Sequence, residues 1–397
     1  MATQHAVLSA SSAYRWLHCT AAPRFEEQFP VETSQYAQEG TLAHSICELM
    51  GRKKFEPMPL SAYNEALKKL QADPLYKPEM LDTADRYVNF LVERANSFAQ
   101  RPYVAFEIRV DLSEWVPEGF GTCDCIMIGG DTLQITDYKH GKGKVVSAEE
   151  NAQMRLYALG ALLKYKAVFG NGIRNVCMTI IQPRVSEDFS EERLTVDALA
   201  AWGEKVKPLA LKAFYGAGEF APEIHVCQFC RGRSVCKARA EANSALADFK
   251  DCVPAGLTSK QCEATNVLSD AEVGELLIRG ADLVQWYKDL EAYALSTILA
   301  GGEIPGFKAV EGRSNRAFID PDAALEILKE AGYDEALLYE RKALSLSELE
   351  KLIGKKQFSE LLGKQIHKPA GKPTLVLVTD KRKPYSGAKA DFAGVTG

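Results

Sequence analysis

The residues best suited to chemistry lie in two neighbouring β-rich segments. In GTCDCIMI, strand alternation places Asp124 on the face opposite Cys123 and Cys125. In TLQITDYK, Asp137 and Lys139 share one face at the end of the segment. Two carboxylates there suit a hard cation such as Mg²⁺, and a nearby lysine can orient or help to deprotonate a bound water. The pattern predicts metal-assisted phosphodiester hydrolysis, with a simple salt bridge at an exposed hairpin end as the alternative.

Polar residues on two predicted helices could complete such a site. His44 and Glu48 share one face of a helix predicted over residues 37–50, and Gln153 and Tyr157 share one face of the helix after the second β-rich segment. Polar side chains on otherwise apolar faces need partners. A lone histidine is more often structural than a ligand, and Gln153 and Tyr157 could simply bond neighbouring loops, so both interpretations stay open.

Taken together, these segments resemble a known enzyme family. GTCDCIMI, ITDYKHGKG and QMRLY are similar to the successive G-x-x-D, D-Y-K-x-G and Q-x-x-x-Y signatures of the RecB-like branch of the PD-(D/E)XK nuclease superfamily. EGTLAHSICE resembles the upstream G-x-x-x-H helix of that branch. Four motifs in the right order are far more specific than any one of them. The proline-aspartate that usually begins the superfamily's namesake motif is absent, as it often is in this branch.

The resemblance implies a metal site and a catalytic lysine. Asp124 and Asp137 would be metal ligands together with the backbone carbonyl of Tyr138, and His44 would be a further ligand of Mg²⁺ or Mn²⁺. Lys139 would be the catalytic lysine.

The resemblance also implies roles for residues around the metal. Gln153 and Tyr157 would position the lysine region and the DNA strand. Glu107, on the preceding strand, and Glu48 are weaker candidates for an accessory acid.

The ten cysteines divide into two groups. Those scattered among apolar neighbours are typical of small buried residues: Cys47, Cys123, Cys125, Cys177, Cys252 and Cys262. Cys227, Cys230 and Cys236 instead form a cluster in the basic segment HVCQFCRGRSVCKAR, with Cys19 as the candidate fourth ligand. By spacing alone zinc is the default metal, because C-x₂-C is a common structural zinc half-site.

The family comparison favours a different metal group for these four cysteines. One distant cysteine followed by C-x₂-C-x₅-C is similar to the iron–sulfur staple of AddB-type and CRISPR-adaptation RecB-like nucleases, in which a structural [4Fe–4S] cluster closes the fold. Basic residues beside the cysteines could contact phosphates or form a solvated loop: Arg231, Arg233, Lys237 and Arg239.

The intervening segments predict how these residues are held. The first hundred residues are mainly helical, including residues 12–19, and three short β-rich runs and a long helix follow. Ser147 and Glu150 predict a capping box that opens the long helix. A further strand (176–183) and helix (193–215) complete an α/β fold, which the resemblance identifies as a PD-(D/E)XK, restriction-endonuclease-like core. Its mixed central sheet would be flanked by helices.

Three regions are predicted along the chain. Residues 1–240 form the RecB-like core closed by the Cys₄ metal cluster, 241–300 a helical extension, and 301–397 a basic, partly flexible C-terminal region. In the last region, Ser345 and Glu348 predict a second capping box. The whole layout resembles an uncharacterised phage and prophage group built on this nuclease core.

Composition excludes some classes of protein and leaves nucleic acid open. The 397 residues are 46% hydrophobic and 25% charged, which is typical of globular proteins, and no long uncharged apolar run occurs. A soluble, cytoplasmic protein without a membrane partner is therefore expected, and the resemblance to the phage and prophage group implies a bacterial host cell. The net charge of −5 conceals a basic C-terminal end, since residues 341–397 hold 12 Lys and Arg against 5 Asp and Glu.

The function predicted from the sequence is a Mg²⁺- or Mn²⁺-dependent deoxyribonuclease. The expected substrate is single-stranded or end-opened DNA, degraded as by an exonuclease in phage recombination or DNA processing, and a recombination or annealing protein is a candidate partner. The alternatives are a catalytically inactive nuclease-fold protein that binds DNA or acts as a scaffold, and a zinc-stabilised adaptor that does not contact DNA.

Overall fold

The computed structural model describes most of the chain in two units. The described residues are 6–31, 34–143, 145–244, 270–310, 320–331, 338 and 345–362. The units comprise residues 1–310 and 311–397 and are described separately.

The first unit contains a mixed sheet, as predicted, and this sheet has five strands. Its strands are β1 (Tyr103–Asp111), β2 (Phe120–Gly129), β3 (Thr132–Tyr138), β4 (Asn175–Ile181) and β5 (Ser190–Thr195). They lie in the order β1-β2-β3-β4-β5, and only β3 and β4 run parallel to each other. The alternating polar strand β5 was not predicted from the sequence.

Helices cover both faces of this sheet. In the first unit, the described helices are α1 (Ala13–His18), α2 (Ala22–Glu26), α3 (Gln35–Phe55), α4 (Leu60–Gln71), α5 (Glu79–Asn96), α6 (Ala152–Phe169), α7 (Val196–Tyr215), α8 (Ile224–Cys227), α9 (Lys237–Ser244) and α10 (Asp270–Leu299). Apolar residues of α1, α6 and α7 form the core on one face, and those of α3 and α5 form the core on the other. None of the described helices is long and apolar enough to cross a membrane.

Helix α6 connects the parallel strands and begins later than predicted. The side chain of Asn151 caps it by accepting hydrogen bonds from the backbone N–H groups of Gln153 (3.1 Å) and Met154 (3.2 Å). The predicted capping box of Ser147 and Glu150 is wrong, because Glu150 adopts a left-handed φ of 56° outside the helix. The later start places Gln153 in the first turn.

In β1 and β2, the regular alternation of side chains between the two faces of the sheet is interrupted. Cys123 packs in the core beneath α6, whereas Cys125 packs in the core beneath α3 and α5. The prediction that these two thiols share one face is therefore wrong. The change of face occurs at Asp124, opposite Glu107 of β1, whose φ is 52°. This irregular pair brings two carboxylates side by side.

The described part of the second unit is helical. It contains α11 (Pro321–Glu330), α12 (Leu346–Ile353) and α13 (Lys355–Leu362). The predicted capping box at the start of α12 is confirmed: the hydroxyl of Ser345 accepts from the N–H of Glu348 (3.4 Å), and the N–H of Ser345 donates to the Glu348 carboxylate (2.7 Å). The predicted division of the chain at residues 240 and 300 stays a prediction.

Candidate metal and phosphodiester site

Three donors from three different elements converge at the break in strand alternation. One ligand atom each of His44 on α3, Glu107 on β1 and Asp124 on β2 lies within 4.8 Å of the others. Nδ1 of His44 is 3.3 Å from Oδ2 of Asp124. Within the described part of the chain, no other three His, Cys, Asp or Glu donors come this close together. An imidazole nitrogen and carboxylate oxygens are ligands that a divalent cation accepts.

The predicted acid and lysine of β3 lie beside this group. Asp137 is 2% exposed, and Nζ of Lys139 is 2.9 Å from its Oδ2 atom. The two form a buried ion pair, and no other described residue donates a hydrogen bond to Oδ2. A buried carboxylate paired with a single ammonium keeps lone pairs that can bind a cation.

The backbone of Tyr138 links the two acidic strands. Its N–H donates to Oδ2 of Asp124 at 2.7 Å, so Asp124 is held against the end of β3. The ring of Tyr138 is buried and stands edge-on to the ring of His44, with 5.4 Å between centroids. Tyr138, whose backbone carbonyl the resemblance assigns to the metal, therefore contacts two of the other proposed ligands through its N–H and its ring.

A chain of hydrogen bonds orients Lys139 from the other side. Its Nζ donates to Oε1 of Gln153 at 3.0 Å, and Nε2 of Gln153 donates to the hydroxyl of Tyr157 at 3.0 Å. Space for the Tyr157 ring depends on Gly121, because a Cβ atom there would lie 2.4 Å from Cε1 of the ring. Sequence reasoning included Gly121 only as part of the G-x-x-D signature, and it missed the cap Asn151, although an Asn before an apolar run is a recognisable helix-start signal.

The electrostatic environment of His44, Glu107 and Asp124 favours the binding of a positive charge between them. Burial acts to lower the pKa of His44, but the adjacent Asp124 carboxylate outweighs it and raises that pKa to about 9. Burial and the charge of Asp124 raise the pKa of Glu107 to about 7, and burial also raises the pKa of Asp137. A divalent cation would satisfy the same donors in place of protons. The donor set therefore fits a metal such as Mg²⁺ or Mn²⁺.

The structure changes which carboxylates are the best candidates to bind the metal. Glu107, a weaker candidate by sequence, belongs to the close group, whereas Asp137 lies beside that group rather than in it. Glu48, the other accessory candidate, is paired with Arg52 at 2.9 Å. The signal for Glu107 was a carboxylate in a strand next to the one that carries Asp124, but its backbone conformation could not be predicted.

The four predicted cysteine ligands line one cavity in the first unit. Cys19, Cys227, Cys230 and Cys236 are all buried there, beside apolar and arginine side chains. No three of their sulfurs lie within 4.8 Å of one another. Burial raises the pKa of Cys227 to about 11 and that of Cys230 to about 12. Such pKa values favour neutral thiols in the absence of a metal ion.

The prediction that Arg239 contacts phosphate is wrong. Its side chain is fully buried and donates to Asp282 (2.6 and 3.0 Å) and to Asp289 (2.7 Å) on α10. These bonds tie the cysteine segment to that helix. A guanidinium held between two carboxylates inside the protein is unavailable to a nucleic acid.

The other three basic residues differ in accessibility. Arg231 donates to the backbone carbonyl of Phe29 at 3.0 Å, and Arg233 lies 3.2 Å from a carboxylate oxygen of Asp289. Lys237 is exposed. A phosphate-binding role stays a prediction for these three residues.

Comparison with known proteins gives a family match and weak structural likenesses. Residues 5–383 match the family model described as "Protein of unknown function (DUF2800)". The crystal structure of SSO0001 is 12% identical, with a TM-score of 0.24 over 57% of this chain and 96% of that chain. The alkaline exonuclease LHK-Exo from Laribacter hongkongensis is 12% identical, with a TM-score of 0.22 over 44% and 89%. LHK-Exo in complex with dAMP is 14% identical, with the same TM-score over 44% and 87%. Scores at this level do not establish a common fold.

Proposed function

The chain belongs to the DUF2800 family, and from its site we propose that it is a metal-dependent deoxyribonuclease. The observation that carries the proposal is the convergence of His44, Glu107 and Asp124 beside the buried pair of Asp137 and Lys139. Metal-assisted phosphodiester hydrolysis uses a cation against the phosphate and a group that orients water, and this set of residues provides for both.

The proposed metal ligands are His44, Asp124, Asp137 and the backbone carbonyl of Tyr138, with Glu107 as a further acid. Bound Mg²⁺ or Mn²⁺ would stabilise charge on the phosphate and make a water more acidic. The ion pair with Asp137 and the hydrogen bond to Gln153 hold the ammonium of Lys139 in place.

Lys139 is the proposed catalytic lysine. Burial acts to lower its pKa, but the Asp137 carboxylate outweighs this and keeps the pKa above its usual value, so the side chain stays an ammonium at neutral pH. Such a group can orient the attacking water and stabilise negative charge that develops on the phosphate. The hydroxyl of Tyr157 accepts a hydrogen bond from Gln153, and Gln153 accepts one from Lys139, so Tyr157 helps to position the lysine.

The substrate we propose is single-stranded or end-opened DNA, degraded as by an exonuclease in phage recombination or DNA processing. The support is the ordered set of motifs shared with RecB-like PD-(D/E)XK nucleases, all four of which contribute residues to this one site. A catalytically inactive DNA-binding or scaffold protein with the same fold is the alternative.

A cleavage assay tests the proposal. Purified full-length protein is incubated with end-labelled single-stranded and double-stranded DNA in Mg²⁺, in Mn²⁺ and in excess chelator. Cleavage is expected with either metal and none with chelator. Intact DNA in every metal would contradict the proposal, and DNA binding without cleavage would favour the scaffold alternative.

For the four cysteines we propose a structural [4Fe–4S] cluster, with Zn²⁺ as the alternative. The support is the resemblance of the cysteine spacing to the iron–sulfur staple of AddB-type and CRISPR-adaptation RecB-like nucleases. The four cysteines line one cavity, so a single metal group could bind all of them.

Anaerobic purification followed by metal analysis distinguishes the two groups. We expect a brown protein with about four irons per chain, as a Cys₄-ligated [4Fe–4S] cluster requires. A Cys230→Ala variant is expected to lose the colour and most of the iron. A colourless parent protein that contains zinc would refute the cluster.

A further inference from the structure

A group of polar and charged side chains surrounds the buried carboxylate of Glu39, which lies on α3 before the proposed metal ligand His44. Glu39, five residues before His44, is 6% exposed. Its carboxylate lies 2.6 Å from Nζ of Lys77, 3.3 Å from Nη1 of Arg184 and 3.3 Å from Nε2 of His140. Glu39 and His140 lie within the quoted segments EGTLAHSICE and ITDYKHGKG but occupy none of their signature positions, and Lys77 and Arg184 lie outside the motifs.

Arg184 joins this group to the segments that follow the central strands. Its side chain is 8% exposed. Besides the bond to Glu39, it donates to the backbone carbonyl of His140 (3.1 Å) and to Glu79 at the start of α5 (3.2 Å). One guanidinium thus connects α3, α5, the segment after β3 and the segment after β4.

The group also reaches Tyr138, which follows Asp137 in the chain and donates a hydrogen bond to Asp124. The hydroxyl of Tyr138 donates to Thr83 on α5 (2.8 Å) and lies 3.0 Å from Nδ1 of His140. The same tyrosine carries the N–H that holds Asp124, and its ring packs against His44. A network of ion pairs, hydrogen bonds and a ring contact therefore extends from Glu39 through His140 and Tyr138 to Asp124 and His44.

The geometry of the site depends on how α3 is placed. His44 comes from a helix and Asp124 from a strand, so their 3.3 Å approach requires a defined position of α3 along the sheet. A slip of one residue would move His44 by about 1.5 Å along the helix axis. Apolar packing between α3 and the sheet is not directional. Hydrogen-bonded ion pairs are directional and can select one register.

We propose that Glu39 and Arg184 are positioning residues that fix α3 against the sheet, so that His44 and Asp124 meet as metal ligands. The inference rests on the proposed function, because it concerns the same metal site. Neither residue is a proposed ligand. Each acts through the helix or the segment that it holds.

Metal affinity, measured apart from cleavage, tests this role. Mn²⁺ binding to the full-length protein is followed by calorimetry for the parent and for Glu39→Gln. The variant is expected to bind Mn²⁺ about tenfold to a hundredfold more weakly, the usual effect of losing a residue that supports a metal ligand. Arg184→Lys, which keeps the charge but loses the planar fork of donors, is expected to lose affinity in the same direction.

A matched control separates positioning from general stability. Arg94 at the end of α5 and Glu191 on β5 form an ion pair of similar burial, with side chains 15% and 17% exposed. Glu191→Gln breaks a link between another helix and the same sheet. It is expected to lower the unfolding temperature as Glu39→Gln does, but to leave the Mn²⁺ affinity within about twofold of the parent value.

The outcomes are distinct. Parental Mn²⁺ affinity in folded Glu39→Gln would overturn the inference, as would an equal loss in Glu191→Gln. If Glu39→Gln does not fold, Arg184→Lys decides by the same measurement. If the parent itself binds no Mn²⁺, or if Asp124→Asn binds it as the parent does, the proposed metal site fails and the inference fails with it.

Discussion

Asp124→Asn is expected to abolish divalent-metal binding and to lower DNA cleavage by about 10³-fold, since a catalytic cation supplies several kcal/mol of transition-state stabilisation. The substitution removes the one carboxylate that contacts His44 and the backbone of Tyr138 together. The amide oxygen of Asn can still accept the Tyr138 N–H, so the local fold should persist. Mn²⁺ calorimetry and the end-labelled DNA assay measure the two effects.

The same substitution has an independent electrostatic signature. In metal-free protein, Asp124 raises the pKa of His44 to about 9, against the effect of burial. Without that carboxylate, burial should bring the pKa of His44 down, so that the imidazole is neutral at pH 8 in the variant and charged in the parent. Titration of the histidine ring signals by NMR tests this. An Asp124→Asn protein that binds Mn²⁺ and cleaves DNA like the parent would refute the metal site.

Lys139→Met is expected to lower the rate constant for cleavage by about 10² to 10⁴-fold while Mn²⁺ still binds, the range for loss of a positioned proton-transfer or charge-stabilising group. Methionine fills a similar volume but carries no charge. It cannot pair with Asp137 or donate to Gln153. Single-turnover cleavage with saturating Mn²⁺ separates this effect on chemistry from any effect on substrate binding.

Lys164→Met is the matched control, because Lys164 lies exposed on α6, the same helix as Gln153. It should cleave at the parental rate. Equal rates for Lys139→Met and the parent would show that the buried ion pair is structural, which was the simpler interpretation of the Asp137 and Lys139 spacing. A loss of Mn²⁺ binding as large as that of Asp124→Asn would instead assign Lys139 a role in holding the metal ligands.

The sequence by itself determined individual strands and helices and the side chains that are neighbours within one strand or helix. Alternation over two residues defined β2 and β3, and it placed Asp137 and Lys139 on one face at the end of a strand. Helical spacing placed Gln153 and Tyr157 together, and the structure has them hydrogen-bonded. These predictions succeeded because strand and helix periodicity depend on contacts between residues close in the chain.

Local rules failed where the backbone departed from regular geometry. Asp124 stands at a change of strand face, opposite Glu107 with its left-handed φ. Strand periodicity assumes unbroken alternation, so it could predict neither the separation of Cys123 from Cys125 nor the entry of Glu107 into the donor group. The start of α6 at Asn151 rather than Ser147 has a similar cause, since two polar residues competed to cap one helix.

Only the tertiary structure decided which charged residues are buried together. Arg239 was expected at the surface, yet it lies between two carboxylates of α10, 43 and 50 residues further along the chain. Glu39 and Arg184 are 145 residues apart and meet beside the proposed metal site. Such pairs leave no periodic signal, because their energy depends on desolvation and on distances that exist only after the helices and the sheet have packed.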